Sequence, residues 1–554
     1  MRANKVLKNG LWGLAYQVVG ILLSFVGRTV FIKFLSAEYL GIAGLFTNVL
    51  SILSLSELGF SSAVSFHLYK LLATEDHEKT AALMNFYKKV YRIVALVVLA
   101  AGLAVLPFLK FIIKDAEELS FPLWYVGVVY LIYLAKTVTS YLYSYNFTLA
   151  VADQKAGLLT SIDIIVRLAM SVANILTLVI FHNYSYINYV IYLLVEIAIG
   201  LAGNIIKTIR VRKRYPYIRS KAKIDPQDRK RVMKDVSNIF AGKVATVVVN
   251  ATDNILISAM ISVATVGHYS NYSMIITQVQ MVLTQFTSAT QASLGNMLAF
   301  ESKEYSYSIL KKLTVIVYFA ASFCAVCLFN LLNPFVKIWL GEEYLLDIIT
   351  VALCVLNFFV TTVKAPLWFS LGGAGYFAKD RNIAIWGAVS NLGVSILCTY
   401  FWGLPGVFFG TVFSQLTQWV LKTRLFVKVH LGKRVWEYLG ISAGLLALTV
   451  AMCAGVYFAF YWIPFTNDWV AFFCRFGACL VVPNLVNFLI FRKSEAFKYI
   501  ISFIKRLFKR KKGSSEETNN TSATDQKENE ASDDLTVEDR HAAVCEGEDE
   551  QVSI

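Results

Sequence analysis

Long apolar segments recur along almost the whole chain and constrain its fold more than any other feature. They run to about 20 residues or more, which is the helix length needed to cross a hydrocarbon core of about 30 Å. The chain is 57% hydrophobic and 16% charged, whereas soluble domains carry about 25% charged residues. Because lipid offers the backbone no hydrogen-bond partners, these segments are expected to be helices. The sequence therefore predicts an all-α polytopic membrane protein.

About fourteen membrane-spanning helices are predicted from these segments. The predicted spans are 11–35, 40–67, 90–113, 121–149, 156–181, 185–206, 236–261, 265–298, 310–332, 344–371, 383–402, 405–421, 436–463 and 468–491. The span 265–298 is the least apolar of them, and its helix could be shorter than the range given.

The basic residues predict the orientation, because Lys and Arg concentrate in the cytoplasmic loops of membrane proteins. With the N-terminus in the cytoplasm, the outer junctions hold only four of the 52 Lys and Arg residues, namely Lys33, Lys110, Lys114 and Lys337. Both termini are therefore predicted to be cytoplasmic, and the first span is expected to be an uncleaved anchor. The formal charge of +15 is explained by these loops rather than by nucleic-acid binding.

A basic segment at 207–234 divides twelve of the spans into two sets of six. The two sets are weakly similar. Displacing the first by 226 residues superposes three pairs: Lys8 on Lys234, Leu35 on Ile261 and Gly41 on Gly267. Internal repeats of this kind are common in transporters, whose substrate lies between the halves. We predict two six-helix lobes around a central cavity, plus two extra C-terminal helices.

The predicted organisation has six parts. They are an N-lobe (1–210), a basic cytoplasmic linker (211–235), a C-lobe (236–430), helices 13 and 14 (431–491), a basic amphipathic segment (492–512) and an acidic tail (513–554). The amphipathic segment is expected to lie on the inner membrane surface. The tail has 13 acidic residues against Lys527 and Arg540, and we expect a disordered, solvated spacer.

Charged residues inside spans are costly and usually face a cavity or a partner. Four cations fall in the predicted lobes and are the candidate substrate-binding residues: Arg28, Lys136, Arg167 and Lys243. Arg offers paired donors and Lys a point charge, so a cavity that they line suits an anion such as a pyrophosphate. Arg28 could instead snorkel to the outer surface.

Four acids share the same spans and are candidates for ion coupling or for pairing with the cations: Glu57, Asp163, Glu196 and Asp253. Asp163 and Arg167 are four apart on one helix and could pair. Glu196 could pair with Lys136 or Arg167. Asp253 is too far along its helix from Lys243 to pair with it directly.

Other features receive structural explanations. Cys324 and Cys327 form a C-x-x-C inside an apolar span without a second pair, so core packing is expected and no metal site is predicted. Arg475 is expected to snorkel, and Lys364 lies nearer a helix end. No nucleotide or other cofactor is predicted, since the chain lacks a G-x-x-x-x-G-K-[ST] motif.

Several motifs resemble bacterial polysaccharide flippases of the Wzx type, which belong to a superfamily shared with multidrug exporters and lipid II flippases. The motifs are Tyr39-Leu40-Gly41-Ile42, Glu57-Leu58-Gly59-Phe60, Ala82-Leu83-Met84-Asn85, Thr252-Asp253-Asn254, Val266-Gly267-His268, Gly406-Val407-Phe408 and Gly410-Thr411. Asp380-Arg381 and Asn391-Leu392 also match the family pattern. Ser370 and Gly387 depart from it, because relatives often carry an arginine near the first and an acid near the second.

The resemblance implies two lobes with alternating access and an oligosaccharide substrate on undecaprenyl diphosphate. It implies export of capsule or exopolysaccharide repeat units across the bacterial cytoplasmic membrane. The implied partners are membrane lipid, a coupling ion (H+ or Na+) and glycan-assembly proteins. The alternative is an ion-coupled exporter of small amphiphilic compounds, against which the cation surplus argues. No enzyme is expected, because the short outer junctions leave no room for the catalytic loop of a glycan polymerase.

Overall fold

The computed structural model describes residues 2–54, 60–114, 118–153, 155–183, 185–288, 301–373, 377–495 and 497. Every regular element within these ranges is a helix, which confirms the predicted all-α class. The chain forms a large unit, Met1–Asn484, and a small unit, Leu485–Ile554. In the small unit the rings of Phe488 and Phe497 lie 5.7 Å apart. Most of the predicted amphipathic segment and the whole acidic tail lie outside the described residues.

Eight α-helices precede the linker in the described part of the chain. They are α1 (Arg2–Phe34), α2 (Ala37–Leu53), α3 (Phe60–Ala73), α4 (His77–Val105), α5 (Leu109–Ile112), α6 (Leu123–Ala152), α7 (Ala156–Ile180) and α8 (Ser185–Arg214). A 3-10 turn, Leu106–Phe108, joins α4 to α5, and a second one, Pro216–Arg219, lies in the linker.

The described residues after the linker form nine further α-helices. They are α9 (Pro226–Met260), α10 (Val263–Ser288), α11 (Lys303–Leu340), α12 (Ile348–Val363), α13 (Ala365–Gly373), α14 (Phe377–Trp402), α15 (Leu404–Thr423), α16 (Val435–Tyr461) and α17 (Asp468–Phe491). A 3-10 turn, Glu342–Tyr344, precedes α12, and a π-helical turn, Arg424–His430, follows α15.

Nine helices in the described ranges are long and apolar enough to cross a membrane, and ten if α12 and α13 count as one span bent by 43°. Helices also lie over the four remaining predicted spans, as α2 with α3, α9, α10 and α15. These helices are shorter or carry more polar residues, or their side chains are only partly described. The chain is therefore a multi-pass helical membrane protein, and the count of fourteen stays a prediction.

Two helices begin well before their predicted spans. The span predicted at 90 starts as α4 at His77, where the Asp76 carboxylate accepts a hydrogen bond from the backbone N–H of Lys79 at 2.9 Å. The span predicted at 236 starts as α9 at Pro226, capped by Asp225. An acceptor side chain at the cap and proline in the first turn both favour a helix start. Both extensions lie beside the linker.

Aromatic side chains build much of the packing core of the first half, here α1 to α8, the second half being α9 to α15. The Tyr130 hydroxyl donates to the Gly102 carbonyl at 2.9 Å, and the hydroxyls of Tyr133 and Tyr189 lie 3.1 Å apart. Tyr39 packs its ring 4.9 Å from that of Tyr189. Tyr130 and Tyr133 of the fourth predicted span therefore pack between helices with their hydroxyl groups bonded, as buried tyrosines require.

The starts of α2 and α10 cross at close range, and the two contacts are reciprocal. A Cβ atom on Gly41 would overlap the backbone carbonyl of Val263, and one on Gly267 would overlap that of Ala37. Each pair obeys the 226-residue displacement found in the sequence, since Gly41 corresponds to Gly267 and Ala37 to Val263. The crossing therefore follows the internal repeat predicted from the sequence and lies at the end predicted to face outward.

Helix α11 is the longest in the described chain. Its 38 residues span about 57 Å, almost twice the thickness of a hydrocarbon core. Near its start the hydroxyls of Thr314 and Tyr438 lie 2.9 Å apart, and near its end Lys337 pairs with Asp468 at 3.2 Å. Helices α16 and α17 are thus attached to the two ends of one helix.

Candidate functional site

Arg28 connects the two halves of the molecule. Its side chain extends from α1 to α10, where Nη1 donates to Ser270 Oγ at 2.7 Å and to Asn271 Oδ1 at 3.3 Å. The guanidinium group therefore lies between helices, and the structure favours this over snorkelling to the outer surface. Both described partners are neutral, so the positive charge of Arg28 is not cancelled by them.

Two further polar contacts extend from α1 across the same interface. Gln17 Nε2 donates to Gln278 Oε1 at 2.9 Å, and Trp339 Nε1 donates to Thr29 Oγ1 at 2.7 Å. Together with Arg28, they place hydrogen bonds at separate levels along α1. The contact between α1 and the second half is polar and exchangeable, which suits an interface that opens.

Arg167 reaches α1 from the other side. Its Nη2 lies 3.5 Å from both the Gly20 carbonyl and Ser24 Oγ. A Cβ on Gly20 would overlap the Arg167 guanidinium, so glycine is needed for this approach. Arg28 is thus a residue of α1, and Arg167 packs against the same helix from α7.

Asp163 forms an ion pair with Lys207 on α8 at 2.8 Å, a partner that sequence spacing did not suggest. Lys207 also lies 4.4 Å from the centre of the Phe147 ring. The spacing to Arg167 made an intrahelical pair conceivable, whereas the described ion pair joins α7 to α8. Asp163 therefore has an evident structural role in holding these two helices together.

Lys136 and Glu196 form an ion pair between α6 and α8, one of the two pairings considered for Glu196. Asn174 Nδ2 donates to the other carboxylate oxygen at 3.2 Å. The pair cancels much of the charge that Lys136 would otherwise present to an anion. Of the candidate cations with described side chains, Arg28 is therefore better placed than Lys136 to meet an anion.

Removing one member of this pair is expected to cost more than removing both. Lys136→Met leaves Glu196 without its cation, and an unsatisfied charged group costs about 1–3 kcal/mol or more. Lys136→Met with Glu196→Gln should recover most of that loss. Thermal unfolding of the purified variants in one detergent measures the difference. Equal destabilisation by the single and double variants would contradict the coupling.

Asp253 belongs to a buried polar cluster that joins three helices of the second half. The Thr411 hydroxyl donates to the Asp253 carboxylate at 3.1 Å, and Asn391 Nδ2 donates to Thr411 Oγ1 at 3.0 Å. The Thr252 hydroxyl donates to Asn391 Oδ1 at 3.3 Å. These residues come from three motifs of the family resemblance on α9, α14 and α15, which the sequence could have linked only through that resemblance.

The remaining two candidates are not placed by the structure. Glu57 lies outside the described residues. Lys243 falls within α9, but its side chain lies outside them. Their predicted roles stay predictions.

A second cationic cluster was missed by the sequence analysis. Lys364 lies at the bend between α12 and α13, and Lys422 near the end of α15. Both side chains are buried and face the Trp368 ring, with Nζ at 4.6 and 4.1 Å from its centre. Lys422 pairs with Asp380 at 2.6 Å, and Lys364 donates to Gln415. The only available signal was a lysine beside a short polar interruption in an apolar span.

Gly387, where the sequence departs from the family pattern, lies against α15, the helix that carries Lys422. A Cβ at Gly387 would overlap the Gln418 side chain, so an acidic side chain there would require Gln418 to move. Asp380 is the described acid that pairs with this cluster.

A family model described as polysaccharide biosynthesis protein matches residues 6–291, which is more than half of the chain. The chain belongs to the polysaccharide biosynthesis protein family. The matched range includes α1 to α10 and hence Arg28, Arg167 and the reciprocal crossing of α2 with α10. The comparison with curated proteins gives no match for this chain.

Solved transporter structures share the fold of this chain. The lipid II flippase MurJ in an inward closed conformation matches 87% of this chain and 98% of its own, with 13% identity and a TM-score of 0.65. An inward-facing multidrug resistance MATE family transporter matches 73% of this chain and 92% of its own, with 14% identity and a TM-score of 0.57. A MATE transporter of Vibrio cholerae matches 77% and 98%, with 12% identity and a TM-score of 0.52. At these identities the likeness establishes the fold.

Proposed function

We propose that this polysaccharide biosynthesis protein flips oligosaccharide repeat units, linked to undecaprenyl diphosphate, across the bacterial cytoplasmic membrane. The units would serve capsule or exopolysaccharide synthesis. The observation that carries the proposal is Arg28, a cation between the two halves whose described partners, Ser270 and Asn271, are both neutral. The family and the likeness to a lipid II flippase support the same substrate class.

Arg28 offers a simple link between binding and movement. A diphosphate accepts paired charge-assisted hydrogen bonds from a guanidinium group, which are stronger than its bonds to a hydroxyl and an amide. A substrate diphosphate that takes Arg28 from Ser270 and Asn271 releases one of the contacts holding α1 to α10. Binding then shifts the equilibrium between the two arrangements of the halves by the difference in affinity for them. Arg167, bonded to the same helix, is the second proposed phosphate ligand.

The membrane potential can drive the step. Moving an anion from a negative interior to the outside releases about 2.3 kcal/mol of free energy per charge at 100 mV. Additional driving energy is proposed to come from H+ or Na+ at the Asp253 cluster, whose carboxylate accepts a hydrogen bond from Thr411 on another helix. Assembly of the glycan by other membrane proteins would follow on the outer face. The protein acts in this scheme as a transporter and carries out no covalent step.

Asp253→Asn is expected to keep the cluster's shape while removing its charge. Export should then lose its dependence on the ion gradient, and gradient-driven export should fall at least tenfold, about 1.4 kcal/mol. Export measured with and without an ionophore tests this, and Thr411→Ser, which keeps the hydroxyl, is the control. Unchanged ionophore sensitivity in Asp253→Asn would remove the coupling role.

Leaflet-resolved labelling of the lipid-linked oligosaccharide tests the function itself. Depletion of the protein should cause the lipid to accumulate on the cytoplasmic leaflet, and re-expression should reverse this. An unchanged distribution would favour the second candidate, an ion-coupled exporter of small amphiphilic compounds. The likeness to two MATE transporters supports that alternative, and drug resistance without a glycan defect would be its signature.

A further inference from the structure

A large cavity lies outside the Arg28 site, beside the linker. It has a volume of about 1460 Å³ and lies open between α4, α6, the end of α8, the linker and the start of α9. Ligand sites usually measure about 300–1,000 Å³, so this cavity is large enough for a bulky headgroup. The positive-inside pattern predicts that it opens on the cytoplasmic side.

The described lining residues carry charge of one sign. Nine of them are Lys or Arg and none is Asp or Glu. They come from α4 (Lys88, Lys89 and Arg92), from α8 and the linker, and from α9 (Arg229 and Lys230). Within the described residues, none of the nine takes part in an ion pair. A cleft lined by one sign of charge concentrates counter-ions.

Specific contacts fasten the linker to α4 and hold one of the cations, Arg212, in place. Asn85 Nδ2 donates to the linker carbonyls of Ser220 and Ala222 at 2.8 and 3.1 Å, which fastens the linker to α4. Arg212 Nη2 donates to the Tyr145 hydroxyl at 3.2 Å. These bonds keep like charges together against their mutual repulsion, and the cavity is thereby organised to receive an anion.

One wall of the cavity leads to the lipid. Ile93 and Val97 line it from α4 and are 62% and 49% exposed. They lie one turn apart, just beyond Arg92 and inside the predicted span, where acyl chains would meet the faces that do not line the cavity. Phe86 adds an apolar surface beneath the Arg229 guanidinium, 5.8 Å from the ring centre. An occupant with a multiply charged head and an apolar tail fits both surfaces at once.

We infer that this cavity is the loading site at which the diphosphate of the polyprenyl-linked substrate docks from the cytoplasmic leaflet, before it reaches Arg28. The inference rests on the proposed function and adds a separate first binding step. A diphosphate matches the cavity better than a phospholipid does, because several cations surround it and a phospholipid phosphate carries a single charge. Its volume also leaves room for sugars beyond the phosphates.

The experiment measures binding without transport. Full-length protein in phosphatidylcholine nanodiscs is titrated with radiolabelled undecaprenyl diphosphate, with unlabelled phosphatidylglycerol or inorganic diphosphate as competitor. The test variant carries Arg92→Gln, Arg219→Gln and Arg229→Gln, one change on each of three lining elements. The matched control carries Arg210→Gln, Arg214→Gln and Lys234→Gln, which removes the same charge from cytoplasmic residues that do not line the cavity. Circular dichroism confirms that both remain folded.

We expect the test variant to bind at least tenfold more weakly and the control to stay within twofold of the unaltered protein. Phosphatidylglycerol or inorganic diphosphate that competes as well as the unlabelled polyprenyl diphosphate would overturn the inference, as would equal losses in both variants. Wild-type flipping rates in the test variant would also overturn it while leaving the proposed function intact. If the protein binds the polyprenyl diphosphate through this cavity but flips no lipid-linked oligosaccharide, the binding site stands and the proposed function fails. Arg28→Ala should retain binding at the cavity.

Discussion

Arg28→Ala is expected to reduce export of the lipid-linked oligosaccharide by about tenfold to a hundredfold or more, with the chain still folded in the membrane. Hydrogen bonds to charged groups contribute about 1.5–3 kcal/mol each, and each 1.4 kcal/mol in a transition state is tenfold in rate. The substitution leaves Ser270 and Asn271, which are neutral and can bond to water or to each other. Folding should therefore suffer little, while the diphosphate loses a ligand.

Export of glycan in a depleted strain that expresses each variant measures the effect. Arg28→Lys keeps the charge but loses the planar fork, so an intermediate rate is expected. Lys33→Ala removes an exposed cation from the last turn of the same helix and serves as the matched control. Normal export by Arg28→Ala would show that the charge between the halves is not used.

Gly41→Ala or Gly267→Ala is expected to open the crossing of α2 with α10. The added methyl group overlaps a backbone carbonyl, and no rotamer change can move either atom. Overpacking of this kind costs about 1–3 kcal/mol, which is about a fivefold to 150-fold shift between two states. The arrangement in which this end is closed should lose population, and export should fall because the halves no longer alternate.

A thiol at Val266 reports on the crossing, since this side chain is fully buried beside it. In a background without other cysteines, an impermeant maleimide added outside should label Val266→Cys at least fivefold faster when Gly41→Ala is present. Gly27→Ala is the control, because a Cβ there meets no atom within 4 Å. Identical labelling in the two variants would mean that the crossing does not act as a gate.

The sequence predicts the fold class well because lipid leaves an apolar segment few alternatives to a helix. Pairings were harder to predict. The Lys136–Glu196 pair was one of the two pairings considered for Glu196. For Asp163 the sequence suggested Arg167, four residues further on the same helix, whereas its described partner is Lys207 on α8. Such contacts depend on how helices rotate against one another, and hydropathy carries no such information.

The bent span shows the same limit. Lys364 was set aside because its position along a straight helix placed it near an end. The 43° bend and the packing of Trp368 between two lysines instead bury it in the second half. Counting residues along a span assumes an unbroken helix, and transporters often break helices where they bind ions or substrates.

The attachment of α16 and α17 to α11 has a mechanical consequence. Helix α11 is longer than a bilayer is thick, and it contacts α16 near its start and α17 near its end. We therefore expect α16 and α17 to move with the second half whenever the arrangement of the two halves changes. The two helices then enlarge the lipid-facing surface of the second half. A fluorescent probe on α16 would accordingly follow the movement of the whole second half.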